Sequence, residues 1–225
     1  MIRLILLQIV IIQLTACKKE PKQHAVINPS VDSLIHFIQD SLEQYRLNQQ
    51  DRTIWQKPYE IIEMLGPLED KVIADIGAGS GYFSFKFIHK AKKVIAIDIE
   101  KELIDLMNDE KKYYKQELQN RFEARLTKPN DPGLEDQEAD IIFMSNTYCY
   151  IENRIPYLQM LRHKLKEGGR IMIVDFKKKI TPIGPTLDSR LAQGDVENEL
   201  IKAGFNIIIS DDTSLQYQYI VIARN

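Results

Sequence analysis

The sequence predicts an α/β fold whose sheet is doubly wound and mostly parallel, with an antiparallel strand at the carboxyl end. From residue 71 onward, short runs rich in Val, Ile and Phe alternate with stretches of helical periodicity. Such alternation is typical of a parallel sheet that helices cover on both faces. The last two runs, FNIIISDD and QYQYIVIAR, are separated only by TSL, so the two strands must form an antiparallel hairpin.

The first seventeen residues differ in composition from the rest of the chain. Arg3 supplies a positive charge, residues 4–14 are apolar at nine of eleven positions, and Leu-Thr-Ala precedes Cys17. An apolar run of this length is too short to span a bilayer but suits the h-region of a secretory signal. Leu-Thr-Ala-Cys resembles the lipobox of bacterial lipoproteins, which implies cleavage before Cys17 and its lipidation. The alternative is a hydrophobic first helix that packs on the domain.

Residues 17–29, CKKEPKQHAVINP, have the polar composition of a solvated tether. From Ser30, apolar residues recur at helical spacing, and Ser30 can cap that helix. Pro58 opens a short helix, PYEIIEML, which Gly66 and Pro67 close. The predicted organisation is a signal peptide (1–16), a tether (17–29), a helical lid segment (30–66) and an α/β domain (67–225).

The α/β domain contains five runs that are predicted to form parallel strands. They are KVIADI, KVIAID, RFEARL, ADIIFMSN and RIMIVDF. Helices are predicted between these runs and before the hairpin: from Gly81, over 100–119, near 156–166 and around 196–203. With the two hairpin strands, the predicted sheet has seven strands.

Composition bounds the function classes. Hydrophobic residues make up 44% of the 225 residues, which is enough for one core without the help of disulfides. The formal net charge is -2, which gives no basic footprint of the kind that nucleic-acid-binding domains carry. We therefore predict no nucleic-acid partner, and no metal site is predicted.

The stretch DIGAGSGYF, residues 75–83, lies between the first predicted strand and the first predicted helix. A strand, a glycine turn and a helix form the first unit of a Rossmann-like domain. The dinucleotide fingerprint requires its third glycine at position 82, where this chain has Tyr82, with Gly81 one residue earlier. Asp75 would repel a pyrophosphate here, whereas it would attract a ligand that carries an ammonium and a sulfonium.

A second acid ends the second predicted strand. Asp98 lies 17 residues beyond Gly81, where a carboxylate can accept hydrogen bonds from both hydroxyls of a ribose. Gly77, Gly79 and Gly81 allow the backbone of the turn to approach a ligand closely. Each acid also has a structural explanation, because Asp75 can cap the turn and Asp98 can start the next helix.

Four motifs, in this order, resemble those of class I S-adenosylmethionine-dependent methyltransferases. They are VIADIGAGSGYFS, VIAIDIE, ADIIFMSNTYCYI and LKEGGRIMIVDF, within a resemblance that runs from about residue 51 to residue 225. The resemblance implies the seven-stranded methyltransferase fold and S-adenosyl-L-methionine as cofactor. It also implies that Asn146 and Tyr148 line the methyl pocket, and that the cofactor is bound by Asp75, Gly77, Gly79, Gly81, Asp98 and Asn146.

The chain departs from the family pattern at two places. Lys128 stands where related members often carry an acid that contacts the adenine amine, which leaves Asn130 and Asp131 as candidates. After the fourth strand, relatives often carry a histidine pair, whereas residues 148–150 are Tyr-Cys-Tyr. No residue is therefore assigned as the general base, and Tyr148 is the catalytic candidate that is left.

Two further segments resemble substrate-side elements of a methyltransferase subgroup. DRTIWQKPYE, which contains Trp55, resembles an N-terminal lid, and TPIGPTLDSR, which contains Gly184 and Pro185, resembles a Gly-Pro loop after the fifth strand. Both are expected at the carboxyl edge of the sheet, where open α/β folds bind ligands. Alternatively, Trp55 only anchors the leading helix, and Gly184-Pro185 only turns the chain.

The function predicted from these features is methyl transfer from S-adenosyl-L-methionine to an unidentified acceptor, such as a small molecule. Two alternatives stay open: a membrane-tethered binding domain that has lost catalysis, and a nicotinamide-dependent oxidoreductase, which Tyr82 and Asp75 disfavour. The signal predicts a bacterial lipoprotein, anchored to the membrane through Cys17 and facing the periplasm or the cell surface. That location conflicts with a methyl donor made in the cytosol, because a charged sulfonium does not cross a bilayer freely.

Overall fold

A computed structural model describes residues 52–225 of the chain. The predicted signal peptide, the tether, the helix from Ser30 and the lipidation site Cys17 lie outside the described residues. Within residues 52–225, no helix combines the length and the apolar character that crossing a membrane requires.

The strands of this part of the chain form one seven-stranded sheet. They are β1 (Val72–Ile76), β2 (Lys93–Asp98), β3 (Phe122–Leu126), β4 (Ala139–Ser145), β5 (Leu165–Phe176), β6 (Asn206–Asp211) and β7 (Gln218–Arg224). Their order across the sheet is β3-β2-β1-β4-β5-β7-β6. Strands β1 to β5 pair in parallel, whereas β7 is antiparallel to both β5 and β6. The predicted mostly parallel seven-stranded sheet with a C-terminal antiparallel strand is confirmed.

Helices cover both faces of the sheet. They are α1 (Pro58–Glu63), α2 (Ser84–Phe87), α3 (Lys101–Lys111), α4 (Gln116–Asn120), α5 (Arg154–Lys164) and α6 (Gln193–Lys202), and residues 52–56 are also helical. Apolar side chains of α1, α2 and α3 pack on one face, and those of α5 and α6 pack on the other. Strands β1, β2 and β4 are consequently buried along almost their whole length, as their continuous apolar runs predict.

Two predicted helices differ from the observed ones. The helix expected from Gly81 begins only at Ser84, because Gly81 has a φ of 84°, far outside the helical region. The helix expected over residues 100–119 is divided into α3 and α4 by a turn at residues 112–115. In that turn, Tyr114 stacks on Phe85 with 5.1 Å between the ring centroids, so packing on the core interrupts the helix.

Candidate functional site

Buried polar side chains are concentrated at the carboxyl edge of the parallel strands. Among the described residues, the buried polar or charged side chains are Gln56, Asp75, Ser84, Asp98, Asp175, Arg190 and Gln218. They lie at the ends of β1, β2 and β5, at the start of the antiparallel β7, or in segments that contact the ends of β1, β4 and β5. Burial of polar groups is costly unless they are hydrogen-bonded, so such a concentration marks this edge as the candidate functional site.

The glycine turn lies directly after β1 and is held against β2. The backbone N–H groups of Gly77 and Ala78 both donate to the carbonyl of Ile97, at 2.9 and 3.0 Å. Gly77 has a φ of 70°, and a Cβ atom at this position would overlap the side chain of Thr147. Gly79 also has positive φ, but a Cβ atom there would meet no other atom within 4 Å. The turn is therefore tightly packed at Gly77, whereas the space at the Cβ position of Gly79 is open.

Asp75 is buried beneath this turn, with 2% of its surface exposed. Its Oδ2 accepts a hydrogen bond of 2.5 Å from the hydroxyl of Ser84. Burial raises the pKa of Asp75 to about 6, although the Ser84 hydrogen bond and the charge of Arg52 act in the opposite direction. A cationic group that bound beside Asp75 would favour the ionised carboxylate and lower this pKa.

Asp98 ends β2 and connects the glycine turn to the start of α3. Its Oδ2 accepts from the N–H of Gly79 at 2.8 Å, and its Oδ1 accepts from the N–H groups of Ile99 and Glu100 at 2.8 and 3.1 Å. A carboxylate offers about four lone-pair positions, so three are occupied within the protein. Asp98 therefore keeps capacity for about one further donor, rather than the two ribose hydroxyls expected from the sequence.

Two cavities flank the glycine turn. The large cavity, of about 570 Å³, is lined by the ends of β1 and β2, by Asp98 and by residues 127–131 after β3. The glycine-turn cavity, of about 220 Å³, is lined by Arg52, Asp75, the turn itself and Ser145. Gly77, Asn146 and Thr147 line both cavities, which therefore form one cleft that passes over the turn. Lys128, Asn130 and Asp131 all border the large cavity.

Asn146 follows β4 and stands at the centre of this edge. Its φ is 58°, an uncommon backbone conformation for a residue other than glycine, which Asn tolerates better than most. The side-chain Oδ1 accepts a hydrogen bond of 2.5 Å from Nε2 of Gln218, the first residue of β7. Asn146 borders both cavities of the cleft and also a third, smaller cavity beside Asp175.

The segment that precedes α1 docks on the same edge. Gln56 is fully buried and donates from Nε2 to the Ser145 hydroxyl at 3.0 Å, while its Oε1 accepts from Arg52 at 2.5 Å. The Arg52 guanidinium also lies 4.1 Å from the centre of the Tyr82 ring. Trp55 is half-buried and packs against Phe176 and Tyr217, with ring centroids 5.5 and 6.4 Å apart. The segment thus covers the end of β4 next to the cleft.

The loop after β5 packs against Phe176, the side chain that Trp55 also contacts. Gly184 has a φ of 97°, and a Cβ atom there would lie 2.6 Å from Cε1 of Phe176, so only glycine fits. Pro185 borders the small cavity beside Asp175. Arg190 donates five hydrogen bonds to the carbonyls of four loop residues, Lys177, Lys179, Ile183 and Pro185. Trp55, Gly184 and Pro185, which the sequence predicted on the substrate side, are therefore brought together around Phe176.

The structure corrects the position expected for Tyr148. Its side chain is fully buried, and its hydroxyl donates to Oε2 of Glu199 at 2.6 Å. Glu199 also accepts from the guanidinium of Arg154 at 2.8 and 2.9 Å, so the tyrosine belongs to a structural link between α5 and α6. Burial and the Glu199 hydrogen bond raise the pKa of Tyr148 far above its ordinary value. Tyr148 therefore lines none of the three cavities at this edge, and its hydroxyl donates to Glu199 instead.

Sequence reasoning missed three residues of this edge: Asp175, Arg190 and Gln218. The signal for Asp175 is visible in RIMIVDF, where a carboxylate interrupts an otherwise apolar buried strand. Arg190 and Gln218 give no comparable signal, because Arg190 lies in a largely polar stretch, Gln218 stands at the start of a strand, and both become buried only through tertiary contacts.

A family model identifies the family of this chain, and similar solved structures share its fold. A family model described as a methyltransferase domain matches residues 68–203, which is more than half of the chain. Two similar solved structures are S-adenosylmethionine-dependent methyltransferases. The one from Aquifex aeolicus is 22% identical with a TM-score of 0.73, covering 80% of this chain and 95% of that one. The one from Mesorhizobium loti is 15% identical with a TM-score of 0.62, covering 74% and 96%. At these identities, the likeness shows the fold.

A similar curated protein is the tRNA U34 carboxymethyltransferase of Helicobacter pylori strain J99. It is 26% identical over 129 residues, which cover 51% of this chain and 44% of the relative. The chain thus spans less than half the length of the curated relatives that it matches.

The name of these relatives assigns them to tRNA, which contradicts our prediction of no nucleic-acid partner. That prediction rested on net charge, a sum over the whole chain that describes no single surface. The family match, by contrast, contradicts neither the predicted fold nor the predicted enzyme class. The chain belongs to the methyltransferase-domain family, and the predictions of a methyltransferase fold and of a methyltransferase enzyme are confirmed.

Proposed function

We propose that this chain transfers a methyl group from S-adenosylmethionine, which it binds along the cleft over the glycine turn. The observation that carries the proposal is the pairing of one acid with each half of that cleft. Asp98 borders the large cavity, and Asp75 borders the glycine-turn cavity, with Gly77 and Asn146 between them. A ligand with a polyhydroxylated half and a cationic half matches this distribution.

The residues of each half fit the corresponding part of the cofactor. Asp98 keeps about one acceptor position for a ribose hydroxyl, and residues 127–131 border the space for adenine. In the glycine-turn cavity, Asp75 would attract the ammonium of the methionine part, and Arg52 would attract its carboxylate. Gly79 would admit the ligand close to the backbone, since its Cβ position is open. Gly81 acts behind the turn, where a Cβ atom would lie 2.6 Å from the ring of Phe85.

S-adenosylmethionine supplies a methyl group on a positively charged sulfur, a good leaving group. The contribution of this chain is then positioning and the exclusion of water. Asn146 lies between the cleft and the small cavity beside Asp175, held by its hydrogen bond with Gln218. The helical segment of residues 52–56 covers the edge through Gln56 and Trp55. Both features limit the directions from which an acceptor reaches the methyl group.

For the acceptor, the curated relatives favour tRNA as the first class to test, because their name states that class. The same name states transfer of a carboxymethyl group, so the transferred group has to be measured as well. Labelled methyl transfer to bulk tRNA, with mass analysis of the nucleosides, distinguishes a methyl from a carboxymethyl product.

Calorimetry tests the cofactor proposal directly. S-adenosylmethionine and S-adenosylhomocysteine should both bind, and NAD⁺ should not. Asp98→Ala should weaken binding about 10- to 150-fold, which corresponds to one lost charge-assisted hydrogen bond of about 1.5–3 kcal/mol. Tighter binding of NAD⁺ would overturn the proposal in favour of an oxidoreductase.

Asp211→Ala is a matched control for that variant. Asp211 also accepts hydrogen bonds from neighbouring backbone, at the N–H groups of Thr213 and Ser214, but it borders none of the cavities described above. The Asp211→Ala substitution should therefore lower stability about as much as Asp98→Ala does and leave cofactor affinity unchanged. An equal loss of affinity in both variants would show that Asp98 acts only through the fold.

A further inference from the structure

Asp175 is a buried carboxylate to which the cofactor proposal assigns no role. It lies one residue before the end of β5, with 2% of its surface exposed. Its Oδ2 accepts from the N–H of Cys149 at 3.2 Å, in the loop after β4. Its Oδ1 is also buried and has no hydrogen-bond partner among the described residues. An unsatisfied buried carboxylate oxygen is costly, so this one calls for a functional explanation.

The small cavity beside Asp175 is the size of a single polar group. It has a volume of about 10 Å³ and is lined by Asn146, Cys149, Asp175, Phe176, Pro185 and Arg190. A space of this size holds roughly one water molecule or one hydroxyl or amino group. Asn146 lines both this cavity and the glycine-turn cavity, so the two spaces adjoin across one side chain. A group in the small cavity would therefore lie next to the methionine half of the cleft.

The other ionisable groups around the small cavity do not take up a proton near neutral pH. Burial and the nearby charge of Asp175 raise the pKa of Cys149 to about 12, so its thiol stays protonated. Burial also raises the pKa of Tyr219, which pairs with Asp175 across β5 and β7, and that of Tyr150. The Arg190 guanidinium is committed to backbone carbonyls. Burial raises the pKa of Asp175 itself to about 7, while nearby N–H groups of Cys149, Asn146 and Thr147, of which only that of Cys149 forms a hydrogen bond with it, oppose that rise.

We propose that Asp175 is the proton acceptor of the transfer reaction and that the small cavity receives an O–H or N–H group of the methyl acceptor. The inference rests on the proposed function and deepens it. It selects neutral oxygen or nitrogen nucleophiles, which must lose a proton, over thiolates, which have none to lose.

The acceptor oxygen or nitrogen forms the new bond to the methyl carbon, and the electron pair of the broken carbon–sulfur bond stays on sulfur. Asp175 Oδ1 takes the proton that the acceptor group loses, and the resulting carboxylic acid later returns that proton to solvent. General-base assistance of this kind contributes typically about 10²–10⁴-fold in rate.

The first test is a titration of Asp175 itself, which does not depend on knowing the acceptor. Carboxyl-carbon NMR of the full chain, with Asp175→Asn to assign the signal, should give a midpoint between about pH 6 and 8, as a base working near neutral pH requires. The titration is repeated with S-adenosylhomocysteine bound, which should leave Asp175 titrating. A carboxyl that stays in one protonation state from pH 5.5 to pH 8.5 would overturn the proposal.

The second test is the pH profile of labelled methyl transfer to bulk tRNA. In the wild-type protein, kcat/KM should rise with pH and level off above the Asp175 midpoint. Asp175→Asn should lose about 10²–10⁴-fold and the pH dependence, and Asp175→Glu should restore part of both. Calorimetry should show unchanged S-adenosylhomocysteine affinity in all three proteins. An Asp175→Asn variant with the wild-type profile would overturn the proposal even where the proposed function stands.

Asp140→Asn is the matched control. Asp140 is also a strand carboxylate that accepts a backbone N–H, that of Val72 at 2.8 Å, and it pairs with Lys166 away from the cleft. It should change stability without changing the pH profile. If wild-type protein binds the cofactor but does not modify tRNA, the titration of Asp175 decides the inference. If the cofactor does not bind, the proposed function itself fails.

Discussion

The two sides of the carboxyl edge satisfy their buried carboxylates in different ways. On the cofactor side, Asp75 accepts from Ser84 and Asp98 accepts from three backbone N–H groups, all within 20 residues along the chain. On the side around Asp175, which we propose for the acceptor, Oδ1 of Asp175 and Oε1 of Gln218 have no partner within residues 52–225. The carboxylates of the cofactor side thus find protein donors nearby in the sequence, with about one position of Asp98 left for a ligand. The acceptor side has buried acceptor atoms that lack donors among the described residues.

The contrast shows which half of the candidate site is determined by local sequence. The cofactor side is built from one strand–turn–helix unit and the end of the neighbouring β2. The acceptor side is assembled from the loop after β4, the end of β5, the 177–190 loop and the start of β7. The local motif on the cofactor side can stay the same while the contacts on the acceptor side change. One fold can therefore serve many acceptors.

The largest effect on the cofactor side is expected from Gly77→Ala. The new Cβ would lie 2.9 Å from Cβ of Thr147, so no rotamer of the threonine relieves the overlap. Together with the positive φ, this should lower the free energy of unfolding by about 2–5 kcal/mol and abolish cofactor binding. Gly66→Ala is the control, because Gly66 has the same φ of 70° but an open Cβ position. Denaturant unfolding that gave equal losses for both variants would contradict the crowding argument.

A smaller effect, with a defined pH dependence, is expected from Asp75→Asn. Because the folded-state pKa is raised from 3.8 to about 6, the folded protein holds this proton more tightly than the unfolded chain. The contribution of Asp75 to stability is therefore lost as pH rises from about 4 to 6, by on the order of 1–3 kcal/mol. Relative to wild type, the variant should gain thermal stability over this pH interval while losing cofactor affinity. A constant difference in Tm from pH 4 to pH 7 would contradict the prediction.

A still smaller effect is expected at the boundary between the two sides, in residues 52–59. This segment is predicted to be the lid, and Gln56 already connects it to Ser145 at the end of β4. Bound cofactor should slow its amide hydrogen exchange several-fold, because closure excludes water from the displacement. Residues 206–211 of the far edge strand serve as the internal control and should not change. If residues 52–59 exchange equally fast with and without the ligand, the lid prediction is wrong and Trp55 only packs against the domain.

The smallest effect on the domain itself is expected from Cys17→Ala, which tests the predicted lipoprotein signal. Wild-type protein should be found in the membrane fraction with Cys17 as its first residue, and the variant should not. Cofactor affinity should be equal in the two. An exported domain would be separated from cytosolic tRNA. Membrane localisation would therefore argue against tRNA as the acceptor class. Wild-type protein in the cytosol with Met1 intact would refute the export prediction.

Most of the fold was predictable because its signals are local. KVIAID matches β2 residue for residue, and the short link between the last two strands predicted their antiparallel pairing. The insertion of β7 between β5 and β6 was not predictable, because it depends on contacts between segments far apart in the chain. The same reason explains the miss at α3 and α4, where Tyr114 leaves the helical pattern to stack on Phe85.

Of the candidate site, the sequence located only the residues around the glycine turn and the end of β2. Asp75, Gly77 and Asp98 stand in a fixed spacing, so the sequence alone brings them to one edge. Tyr148 was misassigned because its place after β4 suggested that its side chain lines the cleft. Its hydroxyl instead donates a hydrogen bond to Glu199 in α6. Asp175 was overlooked because its partners, Cys149 and the 177–190 loop, are joined to it only by the folded sheet.

The way Arg190 holds the loop after β5 has an evolutionary consequence. All five of its hydrogen bonds end on main-chain carbonyls, and none ends on a side chain of the loop. The path of residues 177–185 is therefore largely independent of which side chains the loop carries, apart from Gly184 against Phe176. Exposed positions such as Ile180 and Pro182 can change without loss of the loop's shape. If the loop borders the acceptor, as we propose, substitutions in it could alter acceptor preference while the rest of the domain stays constant.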